Sequence, residues 1–240
     1  MARMGGMRGT KRSKAPGFWR VPRKEYRFTI TPSPGPHRRS ECYPLGVLIR
    51  DILGFVKTAG EAEASIREGA ILVDGVKRRD SRFPVGLMDV VEIPSVGKVY
   101  RMVPKAGSTL MPLEVVESEK SLKLCKVKSK TTVRGGVVQY ALHDGRSLLA
   151  DDKLNMAPGD SCIIEVPSQK VEKTLKMEND ALVMVIRGEK AGLIGKVKGL
   201  KQGTFTRLRL ATIAFDEGTV ELPMNLLVAI GRGEPAIQVA

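Results

Sequence analysis

The chain has 240 residues, with 40 Lys and Arg against 26 Asp and Glu for a formal net charge of +14, 42% apolar residues and 5% aromatic ones, and its pI is near 9.9. That balance points to a polyanionic partner; no stretch approaches the roughly 20 apolar residues of a membrane span, and the N-terminus lacks the apolar run of a signal peptide. Three well-separated cysteines, Cys42, Cys125 and Cys162, and two histidines, His37 and His143, argue against a disulfide frame and a zinc site and read as small residues of a reducing compartment.

Residues 1–41 read as an extended basic N-terminal arm. Arg3, Arg8, Lys11, Arg12, Lys14, Arg20, Arg23, Lys24, Arg27, Arg38 and Arg39 face one acid, Glu25, so the first forty residues hold +10 of the net charge. Gly5, Gly6, Gly9, Pro16, Gly17, Pro22 and the run Pro32 to Pro36 deny this segment a helix or a paired strand. Alone it is expected to be disordered, and to order on a polyanion as counterions are released. Fully extended, the arm reaches roughly 130 Å, and Trp19 is its expected stacking group or anchor.

Residues 42–95 form the next unit. Leu45, Leu48, Ile49, Ile52 and Val56 set one apolar stripe on a short helix. Thr58 with Glu61 has the form of a capping box for a second helix, which continues through Ala62 and Ile66 to a stop at Gly69. Ile71 to Val73 and Asp74-Gly75 predict a tight hairpin, with Lys77, Arg78 and Arg79 beyond it and Arg67 nearby, and Val90 to Ile93 closes the unit as a strand.

From residue 96 the period is mostly two. Residues 96–172 predict a central small β domain, a barrel or sandwich, with a hairpin at Asp144-Gly145 and a strand over Cys162 to Val166. Residues 173–240 predict a third β unit that starts at Leu182 to Ile186 and includes the alternating run Phe205 to Leu210. Three units this small are expected to lean on one another or on a partner. Gly231-Arg232-Gly233-Glu234 lacks the helix of a dinucleotide fingerprint. Adjacent Asp151 and Asp152 point to opposite faces, and His143-Asp144 reads as a hairpin tip rather than a catalytic dyad.

Two local motifs carry resemblances. Helix, helix, hairpin and strand, with Val73-Asp74-Gly75 and Gly86 to Val90, resembles the small αL RNA-binding domain shared by ribosomal proteins, pseudouridine synthases and tyrosyl-tRNA synthetases. The run Val183 to Val197 resembles the KOW motif of SH3-like barrels, which implies phosphate contact by its glycine loop and by Lys190, Lys196 and Lys198.

Over the whole chain, several blocks in order resemble the "S four e" family of small-subunit ribosomal proteins, in the archaeal form. They are Lys11-Arg12 with Ala15-Pro16 and Trp19, Pro32 to His37, Glu41 to Leu45, Phe83 to Val90, Leu124 to Val127, Leu142 to Arg146, Pro158 to Asp160 and Pro167 to Lys170. The fold expected is α+β, multi-domain and mainly β: basic arm, αL domain, central β domain and C-terminal SH3-like KOW barrel. The implied role is non-enzymatic and free of cofactor or small-molecule substrate: a cytoplasmic constituent of the small ribosomal subunit that binds ribosomal RNA beside neighbouring ribosomal proteins. A pseudouridine-synthase-like enzyme and a KOW-type transcription factor that binds polymerase are the rival readings.

Overall fold

A computed structural model of the protein describes residues 9–106, 109–149, 154–204, 208–216 and 218–239. The N-terminal segment folds back on the body. Strand β1 (Gly9–Lys11) pairs antiparallel with β2 (Phe28–Ile30), and the loop between them drives Trp19 to full burial, where its indole N–H donates to the Cys42 carbonyl at 2.8 Å. The expectation of an unpaired, disordered arm is therefore corrected for residues 9–41. One large aromatic anchor with Val21, and a 2.6 Å hydroxyl contact between Thr10 and Thr31, give the segment a core that its average composition hides.

Next come β3 (Tyr43–Pro44), α1 (Leu45–Val47), a π turn (Leu48–Ile52) and α2 (Ala59–Glu68). The first helix is short because its end widens to a Leu53 N–H bond to the Leu48 carbonyl and the chain then turns at Gly54, whose φ is +69°. The second begins as its sequence predicts: Thr58 Oγ1 accepts from the Glu61 N–H while the Glu61 carboxylate accepts from the Thr58 N–H, each at 3.2 Å. It stops at Gly69, φ +79°. Strands β4 (Leu72–Val73) and β5 (Val76–Lys77) flank Asp74-Gly75, both in the left-handed region at +52° and +72°.

After β6 (Pro84–Val85), which pairs with β3, the strands β7 (Val90–Ile93), β8 (Lys98–Lys105) and β9 (Thr109–Glu114) complete a sheet of order β5-β4-β7-β8-β9. The second sheet has the order β12-β11-β10-β13-β14, built from β10 (Leu122–Thr132), β11 (Val138–Leu142), β12 (Ser147–Leu149), β13 (Ser161–Glu165) and β14 (Val171–Leu175).

The third sheet, β18-β17-β16-β15-β19-β20, comprises β15 (Ala181–Val185), β16 (Ile194–Lys201), β17 (Leu210–Phe215), β18 (Gly218–Pro223), β19 (Leu227–Arg232) and β20 (Glu234–Pro235). Strand, glycine loop and strand fall where the KOW resemblance puts them, but the sheet is open, with β18 and β20 as unpaired edges. No sheet of the described residues closes into a barrel, which corrects the SH3-like KOW barrel. The reason lies in the packing: Val183, Val197, Ile213 and Ala229 share one core with Leu124, Ile163 and Leu175 of the second sheet. The apolar face is covered by a neighbour and has no need to curl on itself. Residues 205–207 of the expected alternating run lie outside the described residues.

Candidate nucleic-acid interface

A buried charge cluster sets how the surfaces face one another. Lys123 on β10 is 1% exposed; its Nζ donates to Asp74 Oδ2 and Asp89 Oδ1, both at 2.6 Å, and lies 3.0 Å from Asp144 Oδ2. Arg146 reaches Asp74 at 2.7 Å and His37 reaches Asp89 at 2.9 Å. Burial opposes the Lys123 charge, but Asp89 and Asp74 outweigh it and hold the ammonium above its ordinary range. Burial likewise opposes charge on Asp89, and His37 with Lys123 overturns it, keeping that carboxyl well below the usual range. Asp74 moves the other way, raised by burial and by Asp89.

Cys125, His143 and Asp144 bring ligand-type atoms within 4.8 Å of one another, yet their bonding is already committed. His143 Nδ1 accepts from the Lys126 N–H, its Nε2 donates to the Leu87 carbonyl, and Asp144 belongs to Lys123 and Arg146. Burial first, and Lys123 second, push the His143 imidazole down to about 4. Burial pushes the Cys125 thiol well above its usual range. This is a structural knot of ion pairs.

The cations singled out in the sequence divide by burial. Arg3 and Arg8 lie outside the described residues. Arg12 is 4% exposed, donates to the Pro22 carbonyl at 2.6 Å and stacks 4.9 Å from the Tyr26 ring, so it organises the segment from inside. Trp19 is enclosed too, and its burial favours the anchoring half of its expected role.

Lys11, Lys14, Arg20, Arg23, Lys24 and Arg27 are exposed, and among the described residues none has an acidic partner within ion-pair distance. Arg38 and Arg39 are exposed as well, Arg39 donating to Thr10 Oγ1 at 2.7 Å.

On the α2 unit, Arg67, Lys77 and Arg79 gather at one end of the helix. The Lys77 and Arg79 side chains pass within 3.6 and 3.8 Å of where a Cβ on Gly69 would sit. Arg67 holds an exposed pair with Glu63 at 2.7 Å, of the kind that contributes little and yields readily. Arg78 turns aside to lie 4.3 Å over the Phe83 ring. Exposed Lys196 and Lys198 alternate along β16 with buried Gly195 and Val197, and Lys190 packs 5.7 Å from the Phe215 ring. The glycines beside them serve packing: a Cβ on Gly192 would stand 2.6 Å from the Pro104 carbonyl and one on Gly195 2.6 Å from Ile213.

Sequence reasoning passed over Lys128, Arg187 and Arg209, which the fold brings toward Arg38 around one cleft. Their signal was faint: single cations in strand-like or loop sequence, with no run to mark them. It also missed Lys126, whose buried Nζ donates to the carbonyls of Met224, Asn225 and Leu227 at 2.7, 3.1 and 2.6 Å and ties the second sheet to the third.

Among the described residues no helix is long and apolar enough to cross a membrane. Family models match three consecutive stretches: the RS4NT domain over residues 4–40, the S4 domain over 47–91 and the Ribosomal family S4e over 96–171. The chain is 37% identical to the small ribosomal subunit protein eS4 of Staphylothermus marinus over 246 residues, covering 99% of this chain and 98% of that one. It is 41% identical to the eS4 of Korarchaeum cryptofilum over 238 residues, covering 99% of each. The crystal structure of the 30S ribosomal protein S4e from Thermoplasma acidophilum superposes with a TM-score of 0.69 at 28% identity, covering 80% of this chain and 96% of that one.

Proposed function

The chain belongs to the eS4 family of ribosomal proteins, structural components rather than enzymes, and from that premise we propose that it binds and organises ribosomal RNA in the small ribosomal subunit. The archaeal source of its relatives supports an archaeal-type protein working in the cytoplasm beside other small-subunit proteins. The observation that carries the reading is the set of exposed N-terminal cations, Lys11, Lys14, Arg20, Arg23, Lys24 and Arg27, without acidic partners among the described residues. Trp19 and His37 hold that segment on the body, so its charges act as a fixed cationic face. Arg67, Lys77 and Arg79 form a second face, and Lys196 with Lys198 a third. Several weak phosphate-reading faces on one chain add through effective concentration, and shape and phosphate contact suit helical RNA.

The test uses the full chain and small-subunit ribosomal RNA. Changing Lys11, Lys14, Arg20, Arg23, Lys24 and Arg27 to Gln removes charge and leaves the Trp19 anchor. Each phosphate that the protein no longer neutralises flattens the salt dependence of affinity by about one unit of log–log slope. A slope shallower by several units is expected; an unchanged slope overturns the assignment of this face.

A further inference from the structure

A cleft of ≈ 1310 Å³ opens where the N-terminal segment meets all three sheets. It is larger than the roughly 300–1,000 Å³ of small-molecule pockets, and its lining is of two kinds. Arg38, Lys128 and Arg209 supply positive charge from three different parts of the chain. Arg38 and Arg209 are exposed and their side chains carry no hydrogen bond or ion pair among the described residues, and Lys128 has one long contact, 3.5 Å to the His143 carbonyl. Among the described residues Glu41 is the one acid of the lining, and it is ion-paired with Arg187.

The same cleft is also lined by apolar surface. The Phe18 ring is set edge to face against Tyr43 at 5.0 Å, and the Tyr43 hydroxyl donates to the Phe18 carbonyl at 2.8 Å, so this half-buried ring is held in place. Leu208, 60% exposed, stands at the margin.

An RNA duplex keeps its base faces stacked inside and offers only phosphate, sugar and groove edges to such a recess. An unpaired strand offers phosphates together with flat apolar bases, the pair of chemistries that this lining matches. We propose that the cleft is a binding site for a single-stranded RNA segment, with phosphates on Arg38, Lys128 and Arg209 and a base against Phe18 and Leu208. The proposal rests on the RNA-binding reading above and adds to it a site that the duplex-reading faces do not include. In the free chain Glu41 occupies Arg187; a phosphate entering the cleft displaces that carboxylate from it.

The experiment measures binding of the full chain to three probes: a ten-nucleotide oligo(A), a 16-base-pair RNA duplex and a ten-residue oligoglutamate peptide. In the Arg38→Gln, Arg209→Gln double variant, oligo(A) affinity is expected to fall at least ten-fold and duplex affinity to stay within two-fold. At about 0.7 per phosphate for single strands, two phosphates left without their arginines make the oligo(A) salt slope shallower by about 1.4. Leu208→Asp is expected to weaken oligo(A) alone, with the thermal melt of each variant unchanged. Unaltered oligo(A) affinity in the double variant overturns the proposal, as does oligoglutamate binding as tightly as oligo(A), which marks a site for an acidic protein segment. If the duplex still binds, only the cleft assignment fails; if neither RNA binds, the RNA-binding reading fails with it.

Discussion

Nε2 of His37 stands 2.9 Å from Oδ2 and 3.0 Å from Oδ1 of Asp89, so the N-terminal segment is fastened to the turn before β7 by a buried, two-pronged contact. An ionised carboxylate only accepts, so Nε2 carries a proton. The Gly86 N–H donates to the same carboxylate at 2.8 Å. His37 rests directly on Gly86, where a Cβ would come within 2.3 Å of the ring.

Gly86→Ala therefore forces His37 off Asp89 and loosens the segment. Trypsin is expected to cut near Arg23 several times faster in the variant than in the parent protein. Equal rates would show that the segment is held without His37, by Trp19 and by the bonds of Ser33 and Thr31 to Arg82.

Lys123→Met leaves Asp74, Asp89 and Asp144 with Arg146 and His37 as their remaining side-chain cations among the described residues, beside backbone N–H bonds from Val90, Gly86 and Arg146. Removing one member of a buried ion pair typically costs about 3–5 kcal/mol, which in a protein of this size lowers the melting temperature by roughly 10 °C. Thermal unfolding followed by circular dichroism measures it, and a shift near zero would mean that the cluster relaxes or admits water.

His143 titrates at about 4 in the folded protein against an ordinary 6.5. Its folded value is depressed, so the stability tied to its neutral form is complete above pH 6.5 and is lost as pH falls toward 4. The loss is on the order of 3 kcal/mol at full development. Urea unfolding at pH 7 and pH 4.5 is expected to show a smaller difference in His143→Gln, which keeps a donor for the Leu87 carbonyl, than in the parent.

Burial, and Lys128 second, pull Lys126 down to about 8 from 10.5. The charged amine is disfavoured in the folded state, so this penalty is complete below pH 8 and lifts between pH 8 and 10.5. A ¹³C NMR titration of lysine Cε resonances is expected to show one signal with a midpoint near 8, absent in Lys126→Met.

Much of the α2 unit was legible because its signals are local. The Thr58 and Glu61 spacing, the Gly69 stop and the Asp74-Gly75 turn each depend on a few neighbouring residues, and each formed as read. Barrel closure depends on which edge finds a partner, and the period of two along β15, β16 and β17 says nothing about that. A lysine in sequence reads as surface, so Lys123, Lys126 and the fully buried Arg101, which grips Glu119 and the Gln238 carbonyl, were invisible until distant carboxylates and carbonyls met them. The cleft was hidden for the same reason: Arg38, Lys128 and Arg209 come to line one recess only in the folded chain.

The cluster around Lys123 also bears on how the molecule comes apart. Its members come from the N-terminal segment, the first sheet and the second, and pulling any one of these away leaves a charge stranded in the interior of the others. Sheets too small to be secure alone are thereby made to stand or fall together. Unfolding should be a single all-or-none transition with coincident spectroscopic probes, and a nick or substitution in one part should be felt in the melting of every other.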